Sequence, residues 1–153
     1  MRFTAPILTL LALLSPHPAV ADWEYTKWGM TPEQVVHASN GAVLQTKARS
    51  AGEGSGLEIR ADGEFVAGSL RFDVSFGFDG AGRLAFVSYV QGDPARNGLF
   101  KAWLIRKYGE PQSRQNANGN FETWTWNRKG LDTIEFEIAP GASGFVIQSP
   151  GGD

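Results

Sequence analysis

Between Leu70 and Phe78 every second residue is large and apolar. Leu70, Phe72, Val74, Phe76 and Phe78 alternate with Arg71, Asp73, Ser75 and Gly77. Successive strand side chains point to opposite faces, so this run builds one aromatic face and one polar face. A sheet covered on one side satisfies both, and little else does. Asp79-Gly80-Ala81-Gly82 then supplies a hairpin turn, and Leu84 to Val90 returns as the partner strand. That partner is apolar on both faces, which places it centrally in a sheet. The pattern recurs later. Phe121 to Asn127 carries Trp124 and Trp126 on one face. Leu131 to Ala139 carries Ile134, Phe136 and Ile138 on one face, and the two runs close a hairpin around Arg128-Lys129-Gly130. Phe145 to Gln148 reads as a last short strand and Leu57 to Arg60 as a further one.

Two helices separate these runs. Thr31-Pro32-Glu33-Gln34 is a helix start, with Thr31 as N-cap, Pro32 in the first turn and Gln34 spaced to close a capping box. Met30 and Val35 are spaced for a hydrophobic staple. Asn40-Gly41 ends this helix near Ser39, with a weak continuation expected to Lys47. The second helix starts at Asp93-Pro94, runs to Tyr108 on a stripe of Leu99, Phe100, Trp103, Leu104 and Tyr108, and stops at Gly109-Glu110-Pro111. Residues 48–56 and 112–120 read as polar loops. The expected fold is α+β: an antiparallel sheet with two helices packed on one face, in the order α-β-β-(β)-α-β-β-β. The second helix–sheet unit loosely repeats the first, without a residue-level repeat.

The first 21 residues have a different character. Arg2, the apolar run Ile7 to Leu14, the breakers Pro16 and Pro18, and the small residues Ala19-Val20-Ala21 together form a secretory leader. The apolar run is too short to span roughly 30 Å of hydrocarbon. The expectation is cleavage after Ala21, leaving residues 22–153 as a single domain, periplasmic or secreted. With no cysteine in the chain, a lipid anchor, disulfides and thiolate chemistry are all excluded. The net charge is −2 with both signs interspersed, so neither nucleic acid nor an anionic lipid surface is an expected partner. No second apolar stretch is long enough for a membrane span.

Reactive groups do not gather in this sequence. His37 lies in the first helix with no cysteine or histidine partner in the mature chain, and reads as a helix-end imidazole. Ser55 and Ser143 lie in glycine-containing segments that miss the nucleophile-elbow pattern, and both read as loop serines. Gly52-Glu53-Gly54-Ser55-Gly56 lacks the ending of a phosphate loop and leads into a strand rather than a helix. Glu135 and Glu137 have the spacing of a carboxylate pair, which any i, i+2 strand pair shares, and read as the solvent face of an amphipathic strand. No metal site and no cofactor are expected. Trp124 and Trp126 read as core. Trp23, Tyr25 and Trp28 are the candidate exposed aromatic cluster for a protein or glycan contact.

Gly29-Met30-Thr31 followed by Gln34-Val35 resembles the opening of small exported domains of the SmpA/OmlA (BamE-like) and β-lactamase-inhibitor-like group. Leu104, Tyr108, Gly109 and Pro111 resemble a second helix end found in related periplasmic proteins. The resemblance implies helices on an antiparallel sheet, and a role in envelope assembly or protein inhibition rather than catalysis. The chain departs from the lipoprotein members in lacking the anchoring cysteine, and in having Gly41-Ala42-Val43 where those members have a proline. The functional expectation is a non-enzymatic binding or accessory protein that contacts another envelope protein. The alternatives are an inhibitor of a secreted or periplasmic hydrolase, acting through residues 48–56 or 112–120, and a small carboxylate-dependent hydrolase using Glu135 or Glu137.

Overall fold

A computed structural model of the chain describes residues 25–117 and 121–150. The leader reading, and Trp23, lie outside the described residues. Among the described residues the fold is α+β, with one antiparallel sheet of eight strands and two α-helices. The elements run α1 (Pro32–Ala38), β1 (Val43–Ser50), β2 (Glu58–Ala67), β3 (Leu70–Phe78), β4 (Leu84–Gln91), α2 (Asn97–Tyr108), β5 (Ser113–Ala117), β6 (Phe121–Arg128), β7 (Asp132–Ala139) and β8 (Ala142–Gln148). Across the sheet the order is β1-β2-β3-β4-β8-β7-β6-β5. Each half is one helix followed by a four-stranded meander, and the two meanders meet where β4 pairs with β8. Exchanging β1 with β5, β2 with β6, β3 with β7 and β4 with β8 leaves the order unchanged. The loose repeat in the sequence is thus a repeat of topology.

Local chemistry accounts for the elements. Thr31 and Gln34 form the capping box, with the Thr31 amide donating to Gln34 Oε1 at 2.9 Å. Asn40 at φ 51° and Gly41 at φ 92° carry the chain out of the helix in left-handed conformations. Asp93 and Pro94 open a short 3-10 turn, Pro94–Arg96, and α2 follows from Asn97.

The apolar phase of β3 lies in one core with its counterparts in β4, β8, β7 and β6. Phe72, Tyr89, Phe145, Phe136, Trp124 and Trp126 are all buried there. Tyr89 and Phe145 face each other across the β4–β8 seam and stack, with centroids 4.1 Å apart and planes within 6°. Phe100 of α2 sits over this seam, 4.9 Å from Phe72, 5.0 Å from Phe136 and 5.7 Å from Phe145. Each such ring stabilises the fold by about 1.5–3 kcal/mol through burial. A mostly buried ion pair, Arg128–Asp132, closes the β6–β7 hairpin, and the Arg128 guanidinium lies over the Tyr108 ring.

Several sequence expectations are corrected. The continuation of α1 to Lys47 is instead strand β1. Residues 48–50, expected as loop, belong to β1, and 113–117, likewise expected as loop, form β5. Each half therefore has four strands rather than two or three. β1 and β5 are the two edges of the sheet, exposed along nearly their whole length. A strand wet on both faces has no alternation for periodicity to reveal. Leu99, assigned to the apolar stripe of α2, is 55% exposed. Ser143 is not a loop serine. It is buried in β8, and its hydroxyl donates to Asn97 Oδ1 at 2.7 Å, tying the start of β8 to the start of α2.

Gly77 lies directly opposite Phe86, in the polar phase of β3. A Cβ at Gly77 would fall 1.7 Å from the Phe86 ring, which is only 7% exposed. The glycine is the bed on which that ring lies. Gly77→Ala is expected to destabilise the protein by about 1–3 kcal/mol in denaturant unfolding. The double variant with Phe86→Ala should lose little more than Phe86→Ala alone.

Candidate functional site

The polar phase of the strands builds the other face of the sheet, where Glu64, Asp73, Val90, Glu135 and Glu137 are exposed and Asp62, Ser75, Ser88 and Val146 are half-buried. The pairing registers set them in rows. One row carries Asp62, Ser75, Ser88, Val146, Glu135 and Thr125 from β2 across to β6. The next carries Glu64, Asp73, Val90, Gly144, Glu137 and Thr123. The middle of these rows is a shallow hollow of about 350 Å³. Val90, Val146 and Ala139 give it an apolar lining, and Glu135 and Glu137 stand on one side. Gly144 is part of its floor. A Cβ there would come within 2.6 Å of the Tyr89 carbonyl oxygen, so close approach of β8 to β4 requires glycine. A second hollow of about 370 Å³ includes Glu64, Asp73 and Asp93, and shares Val90 with the first. Val90 is 43% exposed where the two meet.

Carboxylates outnumber cations around the two hollows, where Arg71 and Arg96 line the second. Glu64 and Asp73 lie directly opposite each other and both are exposed. Like charges so placed cost stability. Glu135 and Glu137 are exposed on the same strand face. None of these four carboxylates makes an ion pair among the described residues. Asp62 is the exception. Arg49 donates to both its oxygens, at 2.6 and 2.7 Å, and the Ser75 hydroxyl donates to it at 2.7 Å. The Arg49 hydrogen bonds hold the Asp62 carboxyl below its ordinary pKa, against a smaller opposing effect of burial, with Ser75 adding to the lowering. This bidentate pair fastens the edge strand β1 to β2 and reaches β3.

The other sequence-derived candidates are placed as follows. Tyr25 and Trp28 are half-buried and pack against the core. Trp28 Nε1 is buried without a hydrogen-bond partner, and the ring lines a wide groove beside Met30, Glu33 and His37. His37 is exposed in the last turn of α1. Ser55 lies in the β1–β2 connection, where its hydroxyl donates to the Gly52 carbonyl. Trp124 and Trp126 are buried, and their indole N–H groups donate to Glu122 and to the Gly109 carbonyl. Burial raises the pKa of the Glu122 carboxyl, but hydrogen bonds from Lys101 and Trp124 outweigh it and the net shift is downward. Among the described residues no group of three His, Asp or Glu side chains is placed to hold a metal ion, and no helix is long and apolar enough to cross a membrane. Sequence reasoning missed the hollow around Val90. Its signal was present, because a strand apolar on both faces must either be covered twice or leave one apolar side chain in water.

No family model matches the sequence, and no curated protein matches it. Among solved structures, a DUF4309 family protein (YjgB) from Bacillus subtilis subsp. subtilis str. 168 is similar, with a TM-score of 0.46 and 10% identity over 78% of each chain. A likeness that distant carries no argument about this chain.

Asp62→Asn tests the electrostatic fastening of β1. A depressed carboxyl pKa in the folded state contributes stability in full above the unfolded value, about 3.9. That contribution is lost as pH falls through the folded value. Both partners are partly exposed, so the expected loss at neutral pH is at most about 1 kcal/mol. Urea midpoints of the two proteins should converge in strong acid.

Proposed function

We propose that this chain is an exported, non-enzymatic binding protein that contacts another envelope or secreted protein through the uncovered face of its sheet. In this reading both helices cover the aromatic face and leave the polar face as the working surface. The single observation that carries it is the hollow around Val90, an apolar depression beside the exposed carboxylates Glu135 and Glu137. Exposed apolar surface ringed by polar groups is where protein partners dock. The leader read in the first 21 residues supports a partner outside the cytoplasm.

The alternatives have less support. A carboxylate-dependent hydrolase needs its acid in a cleft that perturbs it, and Glu135 and Glu137 stand exposed on a strand face. An inhibitor acting through 48–56 or 112–120 needs protruding loops, and parts of both segments are paired strand. Tyr25 and Trp28 offer a smaller aromatic contact surface, because both rings are half-buried.

A photo-crosslinking side chain placed at Val90 or Glu137 of the whole chain, produced in the cells that make it, tests the reading. One discrete adduct from these positions and none from the exposed control Arg106 on α2 is the expected result. Absence of adducts at Val90 and Glu137, or the same adducts from all three positions, would overturn it.

A further inference from the structure

The geometry points to a specific occupant for this face: an extended basic segment of a protein partner, with an apolar side chain between two Lys or Arg residues. The inference rests on the binding reading above and names the chemistry of the partner.

Charge complementarity is the first argument. Glu135 and Glu137 stand beside the apolar hollow, and Glu64 and Asp73 line the adjoining one with Arg71 and Arg96; none of these four carboxylates makes an ion pair among the described residues. The net charge of the chain is only −2, so the acidic character of this face is a matter of placement rather than composition. Part of its counterweight lies elsewhere, with Lys101, Arg106 and Lys107 on α2, a helix without any acidic residue. The direct opposition of Glu64 and Asp73 costs stability at rest. A cationic side chain between them reverses the sign of that interaction.

Spacing is the second argument. Asp73 and Glu137 lie in one row, with Val90 and Gly144 between them. Three interstrand steps separate them, roughly 14–15 Å. An extended chain covers about 13 Å from residue i to residue i+4, and its i, i+2 and i+4 side chains share one side. A segment crossing the strands can therefore set a cation at each end and an apolar side chain at the centre. The central side chain meets Val90 and Val146 over Gly144, where no protein side chain occupies the floor.

The test uses the whole chain and a blocked synthetic peptide with the order arginine, serine, leucine, serine, arginine, followed by amide NMR. Saturable shifts at Val90, Gly144 and Glu137, weakened by added salt, are expected. Glu135→Lys with Glu137→Lys should weaken binding roughly tenfold or more without lowering the unfolding midpoint. Asp73→Asn should also weaken binding while raising that midpoint, which a purely structural role for Asp73 would not do. The inference is overturned if a peptide with glutamine for arginine binds equally well, if the double charge reversal leaves affinity unchanged, or if calcium shifts these amides while the peptide does not. A concentration-dependent dimer abolished by the same reversal would overturn it in favour of a second copy, docked through the basic α2. Crosslinks at Val90 without peptide binding would leave the docking reading standing and remove only the basic segment.

Discussion

The stacked pair of Tyr89 and Phe145 is the contact on which the two halves depend. It spans the β4–β8 seam, where two meanders become one sheet. Phe100 covers the seam from α2 and touches Phe72 in one half and Phe136 in the other. Without this cluster, each half would be a short helix on four strands with one aromatic face in water. A unit that small buries too little of its own surface to be comfortable alone. The backbone pairing of β4 with β8 and the ring packing above it are one cooperative unit, and with no disulfide in the chain this packing holds the two halves together without a covalent staple.

The two faces of the sheet obey different rules. Apolar area and close ring contact dominate the side that carries Phe72, Tyr89, Phe136 and Phe145. Polar satisfaction is incomplete on the other side, where Glu64 and Asp73 oppose each other and Val90 stands in water. Such arrangements lower stability, and they are common where a surface is shaped for contact instead. The bidentate Arg49–Asp62 pair shows that this face can neutralise a carboxylate internally. The four carboxylates beside the two hollows are therefore distinguished by position, not by a shortage of arginine in the neighbourhood.

Legibility in the sequence followed burial. β3, β4, β6 and β7 lie inside the sheet, with one face dry, and their alternation was readable at Phe72, Phe76, Trp124 and Phe136. The capping box at Thr31 and Gln34 was readable because it is local hydrogen bonding within four residues. β1 and β5 were not readable, because Lys47, Arg49, Arg114 and Asn116 sit on edges where neither face selects apolar residues. Leu99 misled, since helical spacing alone does not say how wide a stripe the sheet will cover.

By itself, the order of residues determined the α+β class, the start of the first helix, the aromatic identity of the core and, with no cysteine, the lack of any thiolate. These follow from periods of two and 3.6 and from side-chain chemistry, which act over a few residues. Tertiary structure alone decided the eight-strand order, the seam between the halves and the row that brings Asp73, Val90, Gly144 and Glu137 into line. Register between strands far apart in the chain depends on how two complete meanders bury a common aromatic face. No local stretch of sequence contains that sum.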